Sequence, residues 1–171
     1  MPSKKKATPK KKAKKKKVVM ISGGFDPIHI GHVRYIREAR ALGDELVVVL
    51  NNDNWLMAKK GYTFMPEAER KEILEALEGV DRVILTGHKP GDPDRSVCRS
   101  IRLVRPDIFA NGGDRFADNI PEFKVCRELG IDMVFNVGHG GKVRSSSELA
   151  REYDRITKIK NAKKAKGKRR G

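Results

Sequence analysis

The chain has 171 residues, with 38 Lys+Arg against 22 Asp+Glu and a formal net charge of +16. That charge sits at the ends: residues 1–17 carry ten lysines, residues 158–171 carry six lysines and two arginines, neither end holds an acid, and residues 18–157 come to −2. No segment approaches the ~18 apolar residues of a membrane span, and no apolar run long enough for a secretory signal follows the first lysines, so a cytoplasmic protein without a transmembrane segment is expected.

Taken in chain order, residues 1–17 cannot bury enough apolar surface to offset chain entropy and are expected to be a disordered, Lys-rich tail. A first strand, Val18–Ser22, leads into a helix over His32–Leu42 that stops at Gly43, read as a C-cap. Strands Glu45–Leu50 and Asp81–Leu85 flank a helix over Pro66–Glu78, with proline at the start and Gly79 just past the end. A third helix, Asp94–Val104, ends before Pro106. Strand Asp107–Ala110, helix Pro121–Leu129 closed by Gly130, strand Asp132–Asn136 and helix Ser145–Lys158 follow. Residues 158–171 are expected to be a second disordered basic tail.

Short apolar strands alternating with helices of about three turns imply an α/β fold. The expectation is a single doubly wound, Rossmann-like parallel five-stranded sheet with helices on both faces, over residues 18–157. Ligands in such sheets bind beyond the carboxyl ends of the strands. The loops 22–31, 51–65, 86–93, 111–120 and 137–144 all follow strands. Cys98 and Cys126 form no Cys-x-x-Cys pair and are read as reduced residues on helix faces.

The first of these loops is the most informative. Residues 22–32 read Ser-Gly-Gly-Phe-Asp-Pro-Ile-His-Ile-Gly-His. Gly23, Gly24 and Gly31 let the backbone approach a ligand closely. His29 and His32 stand three apart at a strand-to-helix junction, where helix N–H groups favour phosphate. Imidazoles there can donate to phosphoryl oxygens as charge builds on them.

This run resembles the His-x-Gly-His signature of the nucleotidyltransferase superfamily. The resemblance extends through Arg40–Val49, Asn51-Asn52-Asp53, Lys59-Lys60-Gly61, Glu69-Arg70-Lys71, Asn111-Gly112-Gly113-Asp114 and Arg144-Ser145-Ser146-Ser147, in the order found in glycerol-phosphate cytidylyltransferases and in the adenylyltransferase part of bacterial heptose-nucleotide synthases. The heptose-type enzyme is the nearer match at Gly112-Gly113-Asp114. The reaction implied is attack by a phosphate monoester on the α-phosphorus of ATP or CTP, which needs positioning and charge neutralisation more than a protein nucleophile.

On that reading His29 and His32 stabilise the α-phosphate oxygens, and Ser22, Gly23, Gly24 and Phe25 bring backbone donors to the phosphates. Asp26 binds at the nucleotide, holds the loop, orients a histidine or is only a turn residue before Pro27. The resemblance favours Lys60 over Lys59 as the phosphate clamp. Arg70 either reaches the acceptor phosphate or pairs with Glu67 or Glu69. Gly113 and Asp114 lie at the base or ribose. Ser145, Ser146 and Ser147 can cap the last helix and hold β- and γ-phosphates. Where glycerol-phosphate enzymes carry an arginine, this chain has Gly140, with Arg144 or Lys142 as the replacement. Mg²⁺ is expected to come with the triphosphate, since no carboxylate cage and no protein metal ligand is visible.

The sequence therefore points first to nucleotidyl transfer onto a phosphorylated sugar or polyol of the heptose 1-phosphate or glycerol 3-phosphate type. A coenzyme-precursor adenylyltransferase, of the flavin mononucleotide (FMN) or phosphopantetheine type, is the second reading. A third is a non-catalytic nucleic-acid-binding protein on this fold. Its basic tails would contact nucleic acid or anionic surfaces by counterion release or act as a nuclear-import patch. Similar enzymes are commonly homodimers, so a homodimer is expected.

Overall fold

The computed structural model describes residues 15–113, 120–138 and 146–168, apart from the side chains of Ser147 and 162–168. Along the chain it forms β1 (Val18–Gly23), α1 (Ile30–Arg40), β2 (Glu45–Leu50), α2 (Asp53–Lys60), α3 (Glu67–Glu75), β3 (Arg82–Leu85), α4 (Cys98–Val104), β4 (Ile108–Gly112), α5 (Glu122–Leu129), β5 (Asp132–Val137) and α6 (Ser146–Lys168). All five strands are parallel, in the order β3-β2-β1-β4-β5. The order reverses at β1, so the crevice of a doubly wound sheet opens at the carboxyl ends of β1 and β4. This is the five-stranded, doubly wound sheet expected from the sequence.

The central strands read as they do because they are covered on both sides. Leu46 through Leu50 of β2 are all fully buried. Alternate residues of β1 serve different layers. Val19 and Ile21 pack with Ile36 and Ala39 of α1 and Leu74 of α3. Met20 packs with Ile101 of α4 and Val125 and Cys126 of α5. Burial raises the Cys126 thiol to about 11 and raises Cys98 as well, which leaves both thiols protonated at neutral pH.

Three differences from the sequence reading have physical causes. α2 was expected as part of a loop; Asn52 caps it by accepting from Trp55 N at 3.0 Å, and Gly61 ends it with φ of 79°. α6 runs past Lys158 to Lys168, where lysine and alanine are good helix formers. Gly43 is not the cap of α1, whose C-cap is Ala41 in the right-handed region. Gly43 is needed where the chain entering β1 crosses it: a Cβ would lie 2.6 Å from Lys17 O and 2.7 Å from Val19 Cγ2.

The sheet is engaged before Val18. Lys17 O accepts from Asp44 N at 2.8 Å and Glu45 N at 3.2 Å. The Asp107 carboxylate accepts from Val18 N at 2.8 Å and from Lys15 Nζ at 3.0 Å. Replacing Gly43 with alanine pushes this chain entry away from β2. The expected cost is about 1–3 kcal/mol, the usual penalty of overpacking, read as a lower urea midpoint with an unchanged slope.

Candidate active site

The site is built on the loop from β1 to α1. Its backbone turns at a cis Asp26–Pro27 bond, with Phe25 at φ of 48°. A non-glycine residue in that region is uncommon. The buried Phe25 ring lies under the second histidine, 4.8 Å between centroids.

α1 then starts with an unusual cap. His29 is the N-cap, and its Nδ1 accepts from Gly31 N at 3.1 Å. His32, three residues on, accepts from His29 N through its own Nδ1 at 3.2 Å. This is the reciprocal geometry of a capping box, made from two imidazoles. A nitrogen that accepts carries no proton, so each neutral ring holds its proton on Nε2. The rings stack with centroids 3.9 Å apart and an interplanar angle of 26°. Burial first, then His29 and Lys60, lower the His32 pKa to about 3. His32 is therefore a neutral N–H donor at the positive end of a helix.

Lys60, the last residue of α2, reaches back to this loop and donates from Nζ to Asp26 O at 2.9 Å. Burial lowers its pKa, opposed by Asp26 and assisted by Arg70. Asp26 is buried, and its carboxylate accepts from Phe64 N at 3.0 Å and Met65 N at 2.7 Å. Of the roles open to Asp26, holding the loop is the one its contacts describe.

Arg70 corrects an expectation. Its side chain is 0% exposed, so it cannot reach an acceptor phosphate, and it pairs with neither Glu67 nor Glu69. Nε donates to Met65 O at 2.8 Å, Nη1 to Gly24 O at 2.6 Å and Asn51 O at 2.8 Å, and Nη2 to Asp53 Oδ1 at 2.6 Å. The guanidinium ties the histidine loop, the end of β2 and the α2–α3 loop together.

The Ser22–Asp26 loop, His29, Gly31, His32 and Lys60 thus converge. Ser146 joins them, donating from Oγ to Pro27 O at 3.0 Å. Gly112 ends β4, and Gly113 follows it with φ of 72°. Asp114, His139, Gly140, Lys142, Arg144 and Ser145 lie outside the described residues, as does the side chain of Ser147.

A polar set beneath this loop was not anticipated. Asn51, Asn52, Thr86, His88, Asn111 and Glu122 are all buried. Asn52 donates from N to Thr86 Oγ1 at 3.0 Å and from Nδ2 to His88 O at 2.8 Å. Asn51, Asn52 and Asn111 follow or end apolar strand runs, and polar residues at strand carboxyl ends are the signal that marks them.

Among the described residues, no three imidazole, thiol or carboxylate groups gather as a metal would require. No described helix is long and apolar enough to cross a membrane.

Two outcomes follow from these contacts. Arg70→Ala removes the partner of Asp53 and the donor to three carbonyls. It is expected to cost about 1–3 kcal/mol for buried carbonyls left without a donor, seen in thermal melting, since the Asp53 carboxylate is 36% exposed and regains water. The His32 ring, followed by NMR, is expected to show no titration near pH 6.5. Because its folded pKa lies below the unfolded value, the unfolded chain binds the extra proton between about pH 6.5 and 3. Stability is then fully present above pH 6.5 and falls on acidification, by up to about 1.4 kcal/mol per pH unit from this ring.

Comparison with known proteins agrees with this geometry. The profile of the family described as cytidylyltransferase-like matches residues 20–136. An FAD synthase of Aciduliprofundum boonei is 42% identical over 113 residues, covering 66% of this chain and 72% of that protein. An FAD synthase of Picrophilus torridus is 30% identical over 135 residues, covering 78% and 93%. The bifunctional protein HldE of Hahella chejuensis is 34% identical over 130 residues, covering 75% of this chain and 24% of that protein. A crystal structure of a lipopolysaccharide core biosynthesis protein from Thermoplasma volcanium superimposes with a TM-score of 0.58 at 29% identity, covering 74% of this chain and 100% of that one. The chain belongs to the cytidylyltransferase-like family and is a nucleotidyltransferase.

Proposed function

We propose that this nucleotidyltransferase moves AMP from ATP to the phosphate of FMN, giving FAD and pyrophosphate. The observation that carries the chemistry is the pair of imidazoles at the start of α1, each with its proton on Nε2, beside Lys60. The acceptor rests on the relatives. Motif order alone favours a sugar or polyol phosphate, whereas the FAD synthases are similar over most of their own length and HldE over about a quarter of its length.

In the step proposed, an oxygen of the FMN phosphate attacks the α-phosphorus of ATP. The bond from that phosphorus to its bridging oxygen breaks, and pyrophosphate leaves with the bonding pair. Negative charge gathers on the α-phosphoryl oxygens. His32 donates to them from a ring kept neutral by burial, so no proton has to be lost or gained for it to act. His29 caps the helix beside it, and the helix dipole adds to the field. Lys60 neutralises the incoming phosphate. The serines at the start of α6 take the leaving pyrophosphate end. Magnesium arrives as the counter-ion of the triphosphate, the usual mode for a cation bound through phosphates.

The test is product formation. The protein is incubated with ATP or CTP and, separately, FMN, heptose 1-phosphate or glycerol 3-phosphate, and products are separated. FAD from ATP and FMN is the expected result; turnover with heptose 1-phosphate but not FMN contradicts it. His32→Ala is expected to lower kcat at least ~100-fold, the size of effect seen when a transition-state donor is removed, and to lower stability by only about 0.5–2 kcal/mol, the usual cost of a lost helix cap.

A further inference from the structure

On the α4–α5 side of β1 lies a pocket of about 110 Å³ that shares Ser22, Gly23, Gly24 and Lys60 with the histidine loop. Lys59, Lys60 and Arg95 make its rim cationic. Its interior differs in character. Trp55 and Val97, both buried, supply apolar wall. The Trp55 ring is fixed by donating from Nε1 to Arg95 O at 2.8 Å. Between them stand two polar side chains, Asn51 and Glu122, each only 4% exposed.

Both carry acceptors that the fold does not use fully. Asn51 Oδ1 is buried without a hydrogen-bond partner among the described residues. The Glu122 carboxylate accepts from Val97 N at 2.9 Å through Oε1, and Oε2 has no bond of its own among the described residues. Leaving a buried acceptor unpaired costs roughly 1–3 kcal/mol. The unpaired, buried Asn51 Oδ1, with the Glu122 carboxylate beside it in one small pocket, marks a place where a ligand supplies a donor.

Size narrows the ligand further. At about 110 Å³ the pocket is smaller than the ~150 Å³ cavity that holds benzene, so it takes the edge of one six-membered ring and not a fused tricycle. Resting on the FMN reading above, we infer that the pocket takes the pyrimidine end of the isoalloxazine ring, with Asn51 and Glu122 selecting for its N3–H. The imide N–H is the only ring donor of oxidised flavin, and it meets the buried acceptor that the fold leaves unpaired on Asn51, with the Glu122 carboxylate beside it. The cationic rim holds the phosphate end of the same molecule near Lys60. A glycerol phosphate has no ring to fill the apolar wall, so this pocket also discriminates against the polyol acceptor.

The test measures FAD synthesis with FMN and with N3-methyl-FMN on the wild-type protein, and with FMN on Glu122→Gln. Glutamine keeps an oxygen for Val97 N and loses the charge. A hydrogen bond to a charged group is worth ~1.5–3 kcal/mol. The KM for FMN is therefore expected to rise at least ~10-fold in the variant, with the KM for ATP unchanged. N3-methyl-FMN is expected to be at least ~10-fold poorer on the wild type, an arm that does not depend on the variant folding. If FAD forms but the two flavins are used equally well and Glu122→Gln leaves the FMN KM within twofold, the inference falls and the function stands. If the wild type makes no FAD from FMN, the functional reading falls and the inference falls with it.

Discussion

The Arg70 guanidinium is the interaction on which the rest of the site depends. It is fully buried and bonds to the carbonyls of Gly24, Asn51 and Met65 and to the Asp53 carboxylate. Those partners belong to separate stretches of chain that a parallel sheet brings together only at its carboxyl edge. A planar fork with five donors suits this task, and an ammonium does not have the geometry to replace it. Asp26 works the same junction from the other side, accepting from Phe64 and Met65 while its carbonyl takes Lys60. Together they tie the histidine loop, the end of β2 and the α2–α3 loop to one another.

The loop so held sets the chemistry of the imidazoles. A usual N-cap is a serine or aspartate; here the cap is His29, and the residue answering it is His32. Each ring spends Nδ1 on a backbone N–H and thereby fixes its proton on Nε2. Burial first, then His29 and Lys60, keep His32 uncharged. The same contacts that start the helix also determine which nitrogen donates, so structural and chemical roles cannot be separated at these residues.

Much of this was legible in the sequence. The strands gave themselves away as short apolar runs, since the central ones are covered on both faces, and the observed strand ends fall within two residues of those expected. The histidine motif was legible because it combines glycines, imidazoles and a strand-to-helix change within eleven residues. Arg70 was not, because an arginine at the start of a helix reads alike whether it faces solvent or plugs a junction; burial distinguishes the two. α2 was hidden by its eight-residue length and its two terminal lysines, although Asn52 and Gly61 are its proper caps. Gly43 was recognised as important for the wrong reason, since a close approach of two chain segments leaves no local trace. Glu122 drew no attention because it is one acid among many, in the first turn of α5, and only the packing beside Val97 turns it inward.

In the proposed step His32 donates a hydrogen bond to the transferring phosphoryl group, His29 caps the helix beside it, and neither imidazole attacks phosphorus. The stereochemical course at phosphorus tests this most directly. ATP carrying sulfur at one defined α-position is turned over with FMN, the proposed acceptor, and the configuration at the phosphorus of the product is determined. A single direct displacement predicts inversion. Retention would mean two displacements through a nucleotidylated residue, and would contradict the role assigned to His29 and His32.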